Sequence, residues 1–213
     1  MCPAGPPTTK NLMELVTPFI IPVGIFDFSK FLPHVRMAFE AARTRGELRT
    51  GASEGFRTTL DDYHYPRQNG LKDVSEADVF KNALLDAAIE FATTVGYSAP
   101  REHLDVYGFW LNEMTAGLEH TPHKHQARQF SGCFYVDVPE NSGHIRFHSF
   151  RDRFDYTTPD VAQYTVFNAD TYSFKPKEGQ LFLWESWLKH SVPAANFEGV
   201  RRSAAVDLVV HHL

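Results

Sequence analysis

Three histidines, His120, His123 and His125, stand within six residues in the stretch GLEHTPHKHQARQFSGCFYV, Gly117 to Val136. Imidazole is a common ligand for iron, copper, nickel and zinc, so a metal centre is the chemistry such a cluster suggests. The pair His123-x-His125 proves little by itself. With 11 histidines in 213 residues, chance alone supplies roughly half a His-x-His pair. Significance requires an extended segment that points both rings the same way, a third ligand from elsewhere, and a pocket around them. The candidate third ligand is His190, which precedes Ser-Val-Pro at a strand start or bend and can face a pocket. A lone histidine is more often a surface or internally satisfied residue, so His190 counts only in combination.

Eleven residues after His190 the chain reads RRSAAVDL. Arg201 and Ser203 are two apart, which on a strand puts both side chains on one face. A guanidinium offers a planar fork and a neighbouring hydroxyl adds a donor, a good receptor for a carboxylate.

Two kinds of element must position these groups. In SKFLPHVRMAFEAARTRGEL, the residues Phe31, Leu32, Val35, Phe39 and Ala42 fall at helical spacing, with Ser29 as the expected cap. A second helix is expected over SEADVFKNALLDAAIEFATTVGY, with Val79, Ala83, Leu84, Ala87 and Phe91 on one face. The earlier run TPFIIPVGIFDF reads as an edge strand or extended lead-in. Between the helices, residues 51–70 form a long polar loop, a candidate lid carrying Arg57, Asp61, Asp62 and Tyr63, or an ordinary surface loop. From Asp105 onward come short strand-like runs separated by turns: DVYGFWLNEM, QFSGCFYVDVP, GHIRFHSF, TYSFKP, GQLFLWES, HSVPA and RSAAVDLVV. The expected fold is α+β and mainly β, a single domain over 1–213. It divides into an N-terminal extension, 1–104, holding both helices, and a jelly-roll core, 105–213, with the helices packed on its outer face.

Composition narrows the function classes. A net charge of −5 without a Lys/Arg cluster gives no footprint for nucleic acid or an anionic membrane surface. There is no basic leader with a long apolar segment and no apolar run of ~18 residues, so a cytoplasmic protein is expected. Cys2 and Cys133 are expected to be free thiols, Cys133 as a small core residue.

In order along the chain stand Trp110-Leu111-Asn112, His123-Lys124-His125, Ser131-Gly132-Cys133-Phe134-Tyr135, Pro176 to Gly179, His190, and Arg201-Arg202-Ser203. This order resembles the iron(II)- and 2-oxoglutarate-dependent oxygenases over about half the chain, Asp105 to Leu208. The resemblance implies a double-stranded β-helix, or jelly roll, whose mouth binds Fe(II) through His123, His125 and His190. It also implies 2-oxoglutarate chelating that metal, with its far carboxylate on Arg201 and Ser203. Arg201 is preferred to Arg202 because Ser203 shares its strand face. Tyr135 can reach a cosubstrate carboxylate and Asn112 can line the mouth, or either is a structural hydrogen-bonding residue. The implied reaction hydroxylates a C–H bond and converts 2-oxoglutarate to succinate and carbon dioxide.

One departure matters. Most members of that superfamily use two histidines and a carboxylate, whereas His125 stands where the carboxylate belongs. Three neutral imidazoles favour chelation by a dianion but hold bare Fe(II) less well, and zinc or nickel becomes a stronger competitor. Glu119 is the nearest carboxylate in sequence that could substitute. Two rivals stay open: a cupin-like three-histidine metalloenzyme, and a non-enzymatic jelly-roll binding domain. Against the cupin, the glutamate expected after the His pair is replaced by Gln129 or Phe130. The substrate, a small molecule or a protein side chain, and the oligomeric state, with a homodimer among the options, are not set by the sequence.

Overall fold

The computed structural model describes residues 20–51, 54–60, 70–150 and 159–211. In chain order the strands and helices are β1 (Gly24–Asp27), α1 (Leu32–Thr44), β2 (Arg49–Thr50), β3 (Phe56–Thr58), α2 (Ala77–Thr94), β4 (Leu104–Met114), β5 (His120–His123), β6 (Phe130–Asp137), β7 (Ile145–His148), β8 (Thr171–Phe174), β9 (Gln180–Glu185), β10 (His190–Val192) and β11 (Arg201–Val210). All paired strands are antiparallel. A major sheet runs β1-β9-β6-β11-β4-β3-β2, and a minor sheet runs β5-β10-β7-β8. Two facing antiparallel sheets with helices on one outer face make a jelly roll, the fold class expected from the sequence.

Alternation along the central strands divides the major sheet into two working faces. Phe109 and Leu111 of β4, Phe134 and Val136 of β6, Leu181 and Leu183 of β9, and Ala204 and Val206 of β11 join one apolar cluster with the helices. The other face encloses a smaller chamber between the sheets, filled by Tyr135, Phe182 and Trp184 from the major sheet, Ile145 and Phe147 from the minor sheet, and Leu188. The candidate site opens from this chamber.

The helices follow their apolar spacing, with two corrections. α1 buries Val35, Ala38, Phe39 and Ala42, but it begins at Leu32, with Phe31 at the cap position and no side-chain cap. Ser29 does not cap it. Its backbone N–H instead donates to Asp27 Oδ1 at 2.9 Å, closing the turn after β1. In α2 the buried face is Phe80, Leu84, Ala87, Ala88 and Phe91, while Val79 is exposed. An aromatic ring buries more apolar area than an isopropyl group, so the helix settles with Phe80 in the core.

Residues before Asp105 also contribute strands. β1 lies at one edge of the major sheet, and the hairpin β2–β3 extends its other edge beside β4. The segment read as a polar loop thus contains a strand, with Arg57 exposed on β3 opposite Glu113. Asp61, Asp62 and Tyr63 lie outside the described residues.

Gly132 has a steric reason to be glycine. A Cβ there would stand 2.6 Å from the Phe182 carbonyl oxygen and 2.9 Å from Val206, so no side chain fits between β9 and β11. Gly179, at φ +80°, closes the Pro-Lys-Glu-Gly turn against Ser29. Among the described residues, no helix is long and apolar enough to cross a membrane.

Candidate metal centre and anion pocket

β5 and β10 pair so that His123 stands directly opposite His190, and His125 follows two residues beyond the end of β5. Their ligating nitrogens all lie within 4.8 Å of one another, the one such group of three among the described residues. His125 is anchored although it is outside a strand: its backbone N–H donates to the Ser186 carbonyl at 3.1 Å. Its ring stacks near Trp110, with centroids 5.9 Å apart. Glu119 is exposed and outside the cluster.

Each ring has one nitrogen already committed. His123 Nδ1 is 2.8 Å from the Thr121 carbonyl, His190 Nδ1 is 3.0 Å from the Leu188 carbonyl, and His125 Nδ1 is 2.5 Å from Asp207 Oδ1. Carbonyl and carboxylate oxygens only accept, so in a neutral ring Nδ1 carries the hydrogen and Nε2 presents its lone pair. Three rings locked in that tautomer suit one cation.

The electrostatics agree. His190 is pushed down to about 3, by burial first and then by His123. His123 is also lowered, burial again leading. His120 is exposed, yet its ring is crowded 4.3 Å from His123 and 5.9 Å from Phe56. Desolvation, then His123, takes it down to about 4. At His190, His123 and His120 the surroundings favour the uncharged imidazole, the form that ligates metal.

On β11, Arg201 and Ser203 point into the chamber. Arg201 is 4% exposed, yet its Nε has no hydrogen-bond partner; its Nη1 lies 4.0 Å from Met114 Sδ and its guanidinium 5.3 Å from the Tyr135 ring. Burying a guanidinium without an anion is costly. Three more buried polar atoms without partners belong to inward-facing residues of the same sheet: Tyr135 Oη, Asn112 Oδ1 and Trp184 Nε1. Asn112 is the register partner of Ser203 on one side, Tyr135 on the other. Burial raises the Tyr135 phenol well above its ordinary range, so it stays protonated and able to donate. Cys133 is the free thiol expected, half-buried and packed against the smaller apolar cluster, its thiol raised by burial. Two of the orphaned atoms, Tyr135 Oη and Trp184 Nε1, are donors, and orphaned donors beside a buried cation fit a small dicarboxylate.

Arg202 faces the other way. Its Nε donates to Glu113 at 2.9 Å and its Nη1 to Asp137 at 3.0 Å, beneath α1.

Sequence reasoning missed Asp207, Ser131, Ser186 and Trp184. Asp207 left a signal, a charged residue in the apolar run AAVDLVV, two alternations beyond Ser203.

Against known proteins, a family model described as "Putative 2OG-Fe(II) oxygenase" matches residues 108–207, a little under half the chain. No curated protein sequence matches significantly. Among solved structures, a Pseudomonas putida prolyl-4-hydroxylase aligns at TM-score 0.57 and 15% identity, over 90% of this chain and 94% of its own. The non-heme alpha-ketoglutarate-dependent carbocyclase SnoK of nogalamycin biosynthesis aligns at TM-score 0.62 and 14% identity, over 88% and 79%. A 2OG-Fe(II) oxygenase family oxidoreductase from Burkholderia pseudomallei aligns at TM-score 0.53 and 15% identity, over 86% and 90%. At such identities the structures speak for the jelly-roll fold, and the matched family model covers every candidate ligand.

Proposed function

On the premise that this chain is an oxidoreductase of the 2OG-Fe(II) oxygenase family, we propose that it hydroxylates an unactivated C–H bond, holding Fe(II) on His123, His125 and His190 and 2-oxoglutarate on Arg201 and Ser203. One observation carries this reading: three imidazoles with Nε2 left free share a chamber with a buried arginine that, among the described residues, no acid neutralises. A three-histidine metalloenzyme without a cosubstrate would have no use for that arginine.

Fe(II) with 2-oxoglutarate supplies the oxidising power, by activation of dioxygen coupled to loss of carbon dioxide. The chain's own residues bind, orient and exclude water. Arg201 takes the far carboxylate through its guanidinium fork, and Ser203 adds a hydroxyl donor on the same strand face. The protonated Tyr135 hydroxyl and the Trp184 indole N–H are further donors, and Asn112 lines the pocket beside Ser203. The apolar wall of Phe147, Phe182 and Leu188 keeps water from the chamber, which strengthens these charge-assisted contacts. Three neutral ligands also leave the centre open to zinc or nickel, which would occupy it without supporting oxidation.

The substrate is a small molecule or a protein side chain with an apolar surface. Tyr172 lies on the chamber side of edge strand β8, 4.9 Å from Phe174, and is half exposed. Trp187, also half exposed, sits between Ser186 and Leu188, whose carbonyls hold His125 and His190. These rings give the entrance an aromatic rim. Neighbours as different as a prolyl-4-hydroxylase and a carbocyclase use the same fold, so the rim rather than the fold selects the substrate.

The test is succinate release from 2-oxoglutarate by anaerobically reconstituted protein after admission of air, with Fe(II) and Zn(II) compared. Turnover with iron alone supports the proposal. Metal retention without affinity for 2-oxoglutarate would favour the cosubstrate-free metalloenzyme. Tight 2-oxoglutarate binding without consumption would favour a binding domain.

A further inference from the structure

We propose that Asp207 is a positioning residue of the metal centre, delivering through His125 the negative charge that an all-histidine ligand set lacks. The inference rests on the metal-centre reading above and deepens it.

Asp207 is a carboxylate only 4% exposed, embedded in the apolar run of β11. Such a burial needs strong partners. Oδ1 accepts from His125 Nδ1 at 2.5 Å and from Ser131 Oγ at 2.8 Å. Ser131 Oγ in turn lies 2.7 Å from Ser186 Oγ, and the Ser186 carbonyl receives the His125 backbone N–H. His125 is therefore gripped at its ring and at its backbone by one connected set of residues from β6, β9–β10 and β11. Among the described residues, the charged neighbour of Asp207 Oδ2 is Arg128 Nε, 3.9 Å away, and that guanidinium stacks 3.3 Å over the Tyr107 ring.

The three ligands are not equivalent in this respect. His123 and His190 lean on backbone carbonyls, whereas His125 leans on a carboxylate. A carboxylate accepting from Nδ1–H fixes the ring and raises the basicity of Nε2, and loss of such a partner costs about 10–100-fold in metal affinity. His125 occupies the position at which a carboxylate is the usual ligand in the resembling oxygenases. Here the charge is moved one hydrogen bond outward.

A merely structural aspartate would satisfy the same hydrogen bonds, so the test must read charge. Asp207→Asn keeps an acceptor for Nδ1–H and removes the charge. We expect the Co(II) and Fe(II) dissociation constants to rise about tenfold or more, with a shifted Co(II) d–d spectrum and an unchanged melting temperature of the metal-free protein. The decisive comparison repeats the substitution in a His125→Asp background. There the carboxylate is a direct ligand and Asp207 only repels it, so Asp207→Asn should now tighten metal binding. Wild-type Co(II) affinity and spectrum in Asp207→Asn, or an equal loss in both backgrounds, would overturn the proposal while leaving the metal centre standing. A wild-type protein that binds neither Co(II) nor Fe(II) would remove the metal centre and this inference together.

Discussion

The two faces of β11 carry adjacent arginines with opposite fates. Arg202, facing α1, is held by Glu113 and Asp137, acids that also hold Arg43 and Arg36. Arg201, one residue earlier, faces the chamber and, among the described residues, finds a thioether and a phenol ring instead of an acid. The difference separates charge that serves the fold from charge kept for a ligand. Where every partner is present within the chain, the group contributes to stability. Where a buried cation has none, the fold tolerates a cost that only a bound anion recovers.

The largest expected effect comes from breaking the chamber side. Arg201→Ala should weaken 2-oxoglutarate binding by at least about a hundredfold, since losing one member of a buried charge pair costs ~3–5 kcal/mol. Metal content by elemental analysis should be unchanged and the metal-free melting temperature equal or higher. Equal metal loss would mean the inward face has been misassigned.

Arg202→Ala should do the reverse. It leaves Glu113, nearly fully buried, with Arg43 as its remaining partner, and about 2 kcal/mol of stability should be lost. For a chain of this size that is roughly 4–8 °C in Tm, with 2-oxoglutarate affinity within about twofold.

A smaller effect sharpens the contrast through pH. His190 titrates at about 3 in the fold, far below its unfolded value. The unfolded chain takes up the proton first, so its contribution is complete above about pH 6.5 and is lost as pH falls from there. Metal-free protein should therefore destabilise on acidification from pH 7 to 5.5, by of order 1 kcal/mol. His190→Gln should flatten that slope in thermal melts.

The smallest concerns Trp184. Its indole N–H is buried without a partner and its ring packs edge-on, 4.7 Å from His190. Trp184→Phe keeps most of the packing and removes the donor. About a threefold loss of 2-oxoglutarate affinity is expected, as for one neutral hydrogen bond. No change in titration calorimetry would assign the indole to packing alone.

Much of this was legible in the sequence, because period-2 apolar runs and turn residues are local signals. The strands β4 and β6 to β11 and the separation of Arg201 from Arg202 follow from alternation, which needs no tertiary contact, whereas β5 was not among the strand runs read from the sequence. Even local pattern failed where competing side chains were close in phase: α2 turned to bury Phe80 in place of Val79. β3 was hidden because its three residues are too few to show a period and gain their partner only from β4.

The sequence by itself determined which groups could ligate a metal or receive a carboxylate, since these are properties of residue type and spacing. It could not determine that His125, beyond the end of β5, would be aimed by Asp207, which lies 82 residues away in the chain. That contact exists because β11 is inserted between β4 and β6, bringing Asp207 level with Ser131 and under the His125 ring. Strand order is fixed by how two sheets share one core, a balance of burial over the whole chain, and so the partner that completes the candidate centre was decided only in the folded protein.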